Sequence, residues 1–531
     1  MFLQPQSEFK LRNATEFLDY VQSSFSNLYL FTAKSSPWDD ELNPDLLSFS
    51  DDERRSFWDN ISFLKKIAAG DAVYGIRRID WTAGNFYQQY DDTIDLRDKD
   101  FYIFTPENNI YICVANNNGG PSTEKPVHNT EEVVKLSDGY AWKFISNIDI
   151  SLLNKFIVDD FIPFVPNEQI IEGAQSGTIE TLVLEDGGFG YDSNRTIENG
   201  NELSIFIQGN GTQVATAQAS ITASQGEIVS ATISNSGNGY TFGPGIPFAV
   251  ALRQITSSGI NQTAYGIATT GLDGDLLSLQ VFNRGQGYSS GFVTVVQSSA
   301  EGFAETDFLG RVTNVGIRIG TPGANFRKAT AIVVGTNVDG EPAQVRPIIA
   351  PNEGYGADPF LQLAAHNILI SVSFDEEEID EFRKVGLIDN PSNFDLNFDS
   401  DGLLESGEEE FLSISLADAK YRLVLNESNE NFIDGEDIRG ATTGLFGKNL
   451  HKINTNTIRY NPDDSLFESK EFEFEIGEQI VGIDSGAVAT ISEIIEPDVE
   501  KYSGQLYHIN NFKPSLKTEE QQVLITFVLK Y

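Results

Sequence analysis

The sequence predicts a mainly β protein with α+β character towards its ends, and three observations carry that expectation. A glycine-rich unit recurs through the middle of the chain. Paired β-prone runs lie on both sides of it. Helix signals sit in two short segments outside it. The 531 residues allow roughly three or four domains at about 150 residues each, and domains of that size bury sizeable cores without covalent staples.

Composition divides the chain into three zones. Residues 1–172 are rich in aromatic residues and hold all four tryptophans, Trp38, Trp58, Trp81 and Trp142. Segment 51–69, DDERRSFWDNISFLKKIAA, has acidic residues leading, Phe57, Ile61 and Leu64 at helical spacing, and Gly70 after the end, so it is expected to be a helix. The runs FYIFT (101–105) and IYICVA (110–115) are expected to form a hairpin around Pro106-Glu107-Asn108-Asn109.

In residues 173–358 glycine, serine and threonine rise and helical periodicity vanishes. The segments GTIETLVLEDGGFGY (177–191), GEIVSATISNSGNGY (226–240) and GDLLSLQVFNRGQGY (274–288) align over 15 residues without a gap, and looser copies stand at 311–326 and 343–356. Each of the three gap-free copies begins with glycine, continues through a strand-like stretch and ends in Gly-x-Gly-Tyr. Alternation such as Ile228, Ser230, Thr232 against Val229, Ala231, Ile233 places one row on each face of a strand. The tyrosine spacings of 49 and 48 residues predict small β modules, stacked or packed side by side. A phosphate cradle is rejected, because no copy has Gly-x-Gly-x-x-Gly opening a helix or a P-loop lysine.

Residues 359–531 are mixed again. FDEEEIDEFRKVGLI (374–388) is expected to be an acidic-capped helix ending near Gly386. EFEFEIGEQIVGI (471–483) and AVATISEII (487–495) are expected to be strands joined at Asp484-Ser485-Gly486, and VLITFVL (523–529) a further strand. The two outer zones resemble each other more than either resembles the middle, so the repeats are taken as an insertion into an older frame.

Charge and composition narrow the function classes. With 78 acidic and 36 basic residues the net charge is −42. Such a surface repels phosphate backbones and anionic membranes, so neither nucleic acid nor membrane insertion is expected. Cys113 is the one cysteine, which excludes a disulfide framework and a Cys-rich zinc site. MFLQPQSEFKLRN lacks the basic-then-apolar pattern of a signal peptide, and no apolar run reaches membrane-spanning length, so the expected protein is cytoplasmically made. His128, His366, His451 and His508 share no ligand spacing, and no Gly-x-Ser-x-Gly elbow is present. No catalytic residue, cofactor or enzymatic activity is expected.

One segment has metal spacing. In NFDSDGLLESGE (397–408), Asn397, Asp399 and Asp401 fall at positions 1, 3 and 5 of a twelve-residue calcium loop, with Gly402 at the bend and Glu408 at position 12. Asn at position 1, where Asp is the rule, weakens the match, as do flanks that suggest strand as much as helix. A solvated acidic loop is the preferred reading, with calcium the alternative.

A resemblance enters on two sets of stretches. The first is WTAGNFY (81–87) with Tyr90-Asp91-Asp92, the pair Tyr102-Ile103 and Tyr111-Ile112-Cys113, NNNGGPSTEKP (116–126) and SDGYAWKFI (137–145). The second is FRKVGLIDNP (382–391) and GQLYHINNFKPSLKTEEQQVLITFVLKY (504–531), the latter in the form of a strand, an Asn-x-Lys-Pro turn, a polar spacer and a last strand. In this order they resemble the dimeric baseplate wedge subunit of T-even-type contractile-tailed bacteriophages, apart from the inserted repeat zone. The resemblance implies a β-sandwich-containing homodimer within each wedge of the virion tail, assembled in the host cytoplasm. Its partners would be other wedge subunits, and its role would be to hold the wedge together and transmit the rearrangement that precedes sheath contraction. Interface residues, chiefly aromatic and in the outer zones, would then carry function. The alternative is a glycan- or receptor-binding tail protein working through Tyr191, Tyr240 and Tyr288. A third possibility, a cell-wall hydrolase, has no positive signal.

Overall fold

The computed structural model describes residues 7–34, 37–38, 40–44, 57–94, 96, 98–156, 158–189, 191–194, 196, 198–199, 203–208, 214–221, 228–235, 248–254, 263–270, 276–283, 292–297, 300–317, 329–334, 341–351, 353–375, 381–394, 410–427, 431–463, 474–515 and 522–531. The fold is mainly β, built from antiparallel sheets. The chain divides into two compact units: one formed by residues 1–75, 155–158 and 366–531, the other by 76–154 and 159–365.

In the first unit, five strands order as Leu416–Asp418, Ile61–Lys66, Leu28–Ala33, Phe382–Asp389 and Gln505–Ser515. Every residue of Leu28–Ala33 and of Phe382–Asp389 is buried, because the sheet is covered on both faces. On one face Leu28, Leu30, Val385 and Leu387 share a core with Ile368, Ile370 and Val372 of strand Asn367–Phe374 and Ile525 of strand Val523–Lys530. Ala14, Leu18 and Val21 of helix Ser7–Gln22 close that core, giving a sandwich with a helix packed against it. On the other face Tyr29, Phe31, Phe57, Trp58, Ile61, Leu64 and Ile388 form a second cluster.

Three local expectations are corrected here. In segment 51–69, residues 57–60 form a turn and Ile61–Lys66 a strand, while 51–56 lie outside the described residues. Phe57, Ile61 and Leu64 do share one core, which produced the helical spacing, but Ser62 and Phe63 are buried too. Similarly, Phe382–Asp389 is a strand rather than the end of a helix, with 376–380 outside the described residues. Gly386 is no helix stop: a Cβ there would overlap the His508 carbonyl oxygen and the Phe31 ring, so glycine marks close backbone approach. Asn511-Phe512-Lys513-Pro514 continues the strand Gln505–Ser515 instead of turning. The register to Phe382–Asp389 slips there, and such an irregularity accommodates a proline that cannot donate to the ladder.

The same unit contains a closed six-stranded barrel, in the order Tyr421–Leu425, Thr457–Pro462, Phe446–Lys452, Ile438–Gly440, Gln479–Gly482 and Val488–Ile495. Its interior is Leu423, Leu425, Phe432, Ile438, Leu450, Ile458, Phe474, Ile480 and Ile491. The expected strand pair across Asp484-Ser485-Gly486 is present as the last two of these, with 471–473 outside the described residues. Arg459, almost wholly buried, donates to Ser62 O and Asp418 Oδ1 and lies 4.0 Å over the Phe63 ring, tying the barrel to the neighbouring sheet.

In the second unit the expected hairpin forms with Tyr102 opposite Ile112, Ile103 opposite Tyr111 and Phe104 opposite Ile110. Asn109 belongs to the strand, so the turn is one residue shorter than expected. Tyr140–Asn147 and Val134–Lys135 extend this sheet. The repeat stretches all contain strands: Ile179–Asp186, Ile228–Asn235, Leu276–Asn283, Val312–Ile317 and Gln344–Ile349. They are distributed over two six-stranded sheets. Ile179–Asp186 and Val312–Ile317 are the two edges of one sheet, with Gln344–Ile349 beside the former, while Ile228–Asn235 and Leu276–Asn283 are the two edges of the other. Phe206 and Val334 of the first sheet meet Ala249, Ala251 and Tyr265 of the second.

Candidate functional site

The calcium-loop candidates Asn397, Asp399, Asp401 and Glu408 lie outside the described residues, as do Tyr240 and Tyr288. The remaining sequence candidates are placed. Cys113 is fully buried, and burial pushes its thiol well up, so it behaves as a small core residue. The half-buried His128 ring has Nε2 at 3.2 Å from Trp142 O, and burial lowers its pKa. His508 stacks on Phe527 with burial acting in the same direction, and His451 Nδ1 lies 3.9 Å from Asp434. Among the described residues no three His, Cys, Asp or Glu side chains converge as a metal site.

Tyr191 is 6% exposed and belongs to the core of its sheet. Its hydroxyl accepts from Ala343 N at 2.8 Å, and its own N–H donates to Gly310 O at 3.1 Å. Gly187 lies against the Val312 carbonyl and Gly188 against that of Glu341. Gly187, Gly188 and Tyr191 are therefore the joint where three repeat copies meet, and the Tyr191 ring is not an open platform.

A cavity of about 900 Å³ lies in the second unit, between the edge strands Ile179–Asp186 and Val312–Ile317 and the sheet carrying Lys135 and Lys143. The two edge strands are bonded at one end, where Val312 N donates to Gly187 O at 2.9 Å. Deeper in, Lys135 Nζ donates to Leu182 O at 3.2 Å and Val315 O at 3.1 Å, one carbonyl from each edge. Burial pulls its ammonium below the ordinary lysine range. Burial likewise lowers Lys143, against the opposing charges of Glu180, Glu131 and Glu132, and its Nζ donates to Glu131 O. Asp138 accepts from the backbone of Thr123, Glu124 and Tyr140, and Glu180 from Thr178 Oγ1. Lys135, Lys143, Asp138 and Glu180 thus bond to the protein's own frame, and Lys135 alone among them links the two sheet edges. No sequence signal marks Lys135, because its partners are carbonyls brought together only by the fold.

The surface offers a different kind of site. Beneath WTAGNFY, the rings of Tyr87, Tyr140 and Trp142 pack together, Tyr140 and Trp142 stacked at 5.5 Å. Thr82 N donates to Tyr87 Oη, Gly84 N to Ser122 O, Ser122 N to Asn85 O and Trp81 Nε1 to Ser122 Oγ. This bracing buries Tyr87 and leaves its neighbour Phe86 65% exposed. A large apolar ring is thereby held in water on a braced loop, and other single apolar side chains of the surface, such as Phe25 and Leu42, are exposed as well. The turn at Asp307–Gly310 is similar: Asp307 accepts from Leu309 N, Arg311 N and the Arg311 guanidinium, while Phe308 is 73% exposed. Sequence reading pointed to aromatics in the outer zones but did not single out Phe86 or Phe308. Exposure is decided by the tertiary bracing around them.

No helix among the described residues is long and apolar enough to cross a membrane. No family model matches the chain, and no curated protein matches it significantly.

Proposed function

We propose that this chain is a structural subunit of a contractile phage tail baseplate wedge, acting as a dimer that holds wedge components together and relays the rearrangement preceding sheath contraction. The observation that carries the reading is the ordered set of stretches resembling that family. Its support is their spatial grouping within each unit. WTAGNFY, the Tyr102–Ile112 strand pair, NNNGGPSTEKP and SDGYAWKFI all build one sheet and its braced loop. FRKVGLIDNP and GQLYHIN are adjacent strands of the other unit's central sheet. Stretches of this kind set the shape of a scaffold, and exposed anchors such as Phe86 then set its contacts. Other wedge subunits are the proposed partners, and the virion tail is the proposed location.

The test is mass spectrometry of purified virions and of baseplates isolated from them. The expected result is retention of the chain in the baseplate fraction. Absence from the particle overturns the reading.

A further inference from the structure

The barrel contains a duplication that composition hides. FIDGEDIRGATTG (432–444) and FEIGEQIVGIDSG (474–486) share Phe, Gly, Glu, Ile, Gly and Gly at the same six positions, with Thr443 in one matched by Ser485 in the other. The geometry repeats as the sequence does. Gly435 and Gly477 have φ of 88° and 90°, and Gly444 and Gly486 have 73° and 67°. Gly435 N donates to Leu450 O as Gly477 N does to Ile491 O, and Ala441 N donates to Gln479 O as Ile483 N does to Asp437 O.

The two copies do not sit side by side. The first comprises strands Tyr421–Leu425, Ile438–Gly440 and Phe446–Lys452, and the second Thr457–Pro462, Gln479–Gly482 and Val488–Ile495. The opening strand of the first copy pairs with the closing strand of the second, and the opening strand of the second with the closing strand of the first. The middle strands pair with each other, as do the two opening strands, where Arg422 lies opposite Arg459.

The buried glutamates follow the same exchange. Glu436 accepts from Ile433 N in its own copy, then from Asp484 N, Ser485 N and Ser485 Oγ in the other, at 2.6 to 3.1 Å. Glu478 accepts from Glu475 N in its own copy, then from Thr442 N, Thr443 N and Thr443 Oγ in the other, at 2.6 to 3.1 Å. We infer that the barrel is two interlaced copies of one three-strand unit, neither closing without the other, and that each copy's glutamate locks the other copy's turn. A buried carboxylate holding backbone N–H groups is a strong, directional tie, and reciprocal ties of this kind couple the two turns directly.

Hydrogen exchange on the full chain tests this. E436Q is expected to speed exchange at Asp484 and Ser485 by about tenfold or more while leaving Thr442 and Thr443 near their original rates, the loss being that of charge-assisted bonds. E478Q is expected to do the reverse. If either variant loosens its own copy's turn as much as the other's, or leaves both unchanged, the inference fails. Should the glutamine variants not fold, S485A and T443A replace them. S485A is expected to speed exchange at Ile433 and T443A at Glu475, across the copies, and unchanged rates there would overturn the reciprocal lock.

Discussion

Glu436 and Glu478 are carboxylates almost removed from water, yet both stay ionised more readily than an ordinary glutamate. Burial alone raises each pKa, but the hydrogen bonds donated by Ile433, Asp484 and Ser485 to one, and by Thr443, Glu475 and Thr442 to the other, outweigh it and the net shift is downward. Asp484 and Glu475 are the ionisable residues among those donors, and both contribute only their backbone. A depressed folded-state pKa stabilises the fold above the unfolded value of about 4.3 and loses that contribution as pH falls through the folded value. The barrel is therefore expected to loosen as pH drops below about 4.3, whereas the E436Q/E478Q double variant should show a flatter acid limb. Exchange rates within 431–463 and 474–495 followed against pH decide it, and equal acid limbs for both proteins would remove the glutamates from the account. At this scale the sequence is half legible: EFEFEIGEQIVGI is expected to be a strand, and only the fold reveals that Glu436 and Glu478 are buried.

Among the elements, strands were read better than helices, and the reason is physical. A hairpin such as 101–116 carries its information locally, in alternation and a turn. The central strands Ile61–Lys66 and Phe382–Asp389 are covered on both faces, so their apolar residues recur at every spacing, including the helical one. Gly386 illustrates the cost of a misread signal. Gly386→Ala is expected to destabilise the unit by about 3 kcal/mol, because the new methyl meets backbone and an aromatic ring rather than a yielding side chain. Chemical denaturation measures this, and a loss below about 0.5 kcal/mol would show that the strands separate easily there. The strands of the repeat were legible, while the Gly-x-Gly-Tyr ends of 226–240 and 274–288 lie outside the described residues. The distribution of those strands over sheet edges was not legible, since edge placement depends on which other strands fill the interior.

Across the whole molecule, −42 charges keep the chains apart, so any stable association needs apolar anchors presented ready for use. Phe86→Ser is expected to leave the thermal unfolding midpoint within about 1 °C, since an exposed ring contributes little to folding. The same change is expected to reduce incorporation of the chain into baseplates, assayed by sedimentation of assembled particles. Full incorporation would remove Phe86 from the proposed wedge contacts. The pairing of Leu28–Ala33 with Phe382–Asp389, and of the latter with Gln505–Ser515, also governs when the protein can fold. During synthesis the Leu28–Ala33 strand leaves the ribosome some 360 residues before Asp389, its partner for Leu28, exists. At about 5–20 residues per second it waits on the order of tens of seconds with an apolar edge open. Meanwhile residues 76–365 supply nearly all the contacts their own unit needs. The open edge of that early strand is therefore expected to stay exposed until Phe382–Asp389 has been made, and its capture by that strand competes with aggregation.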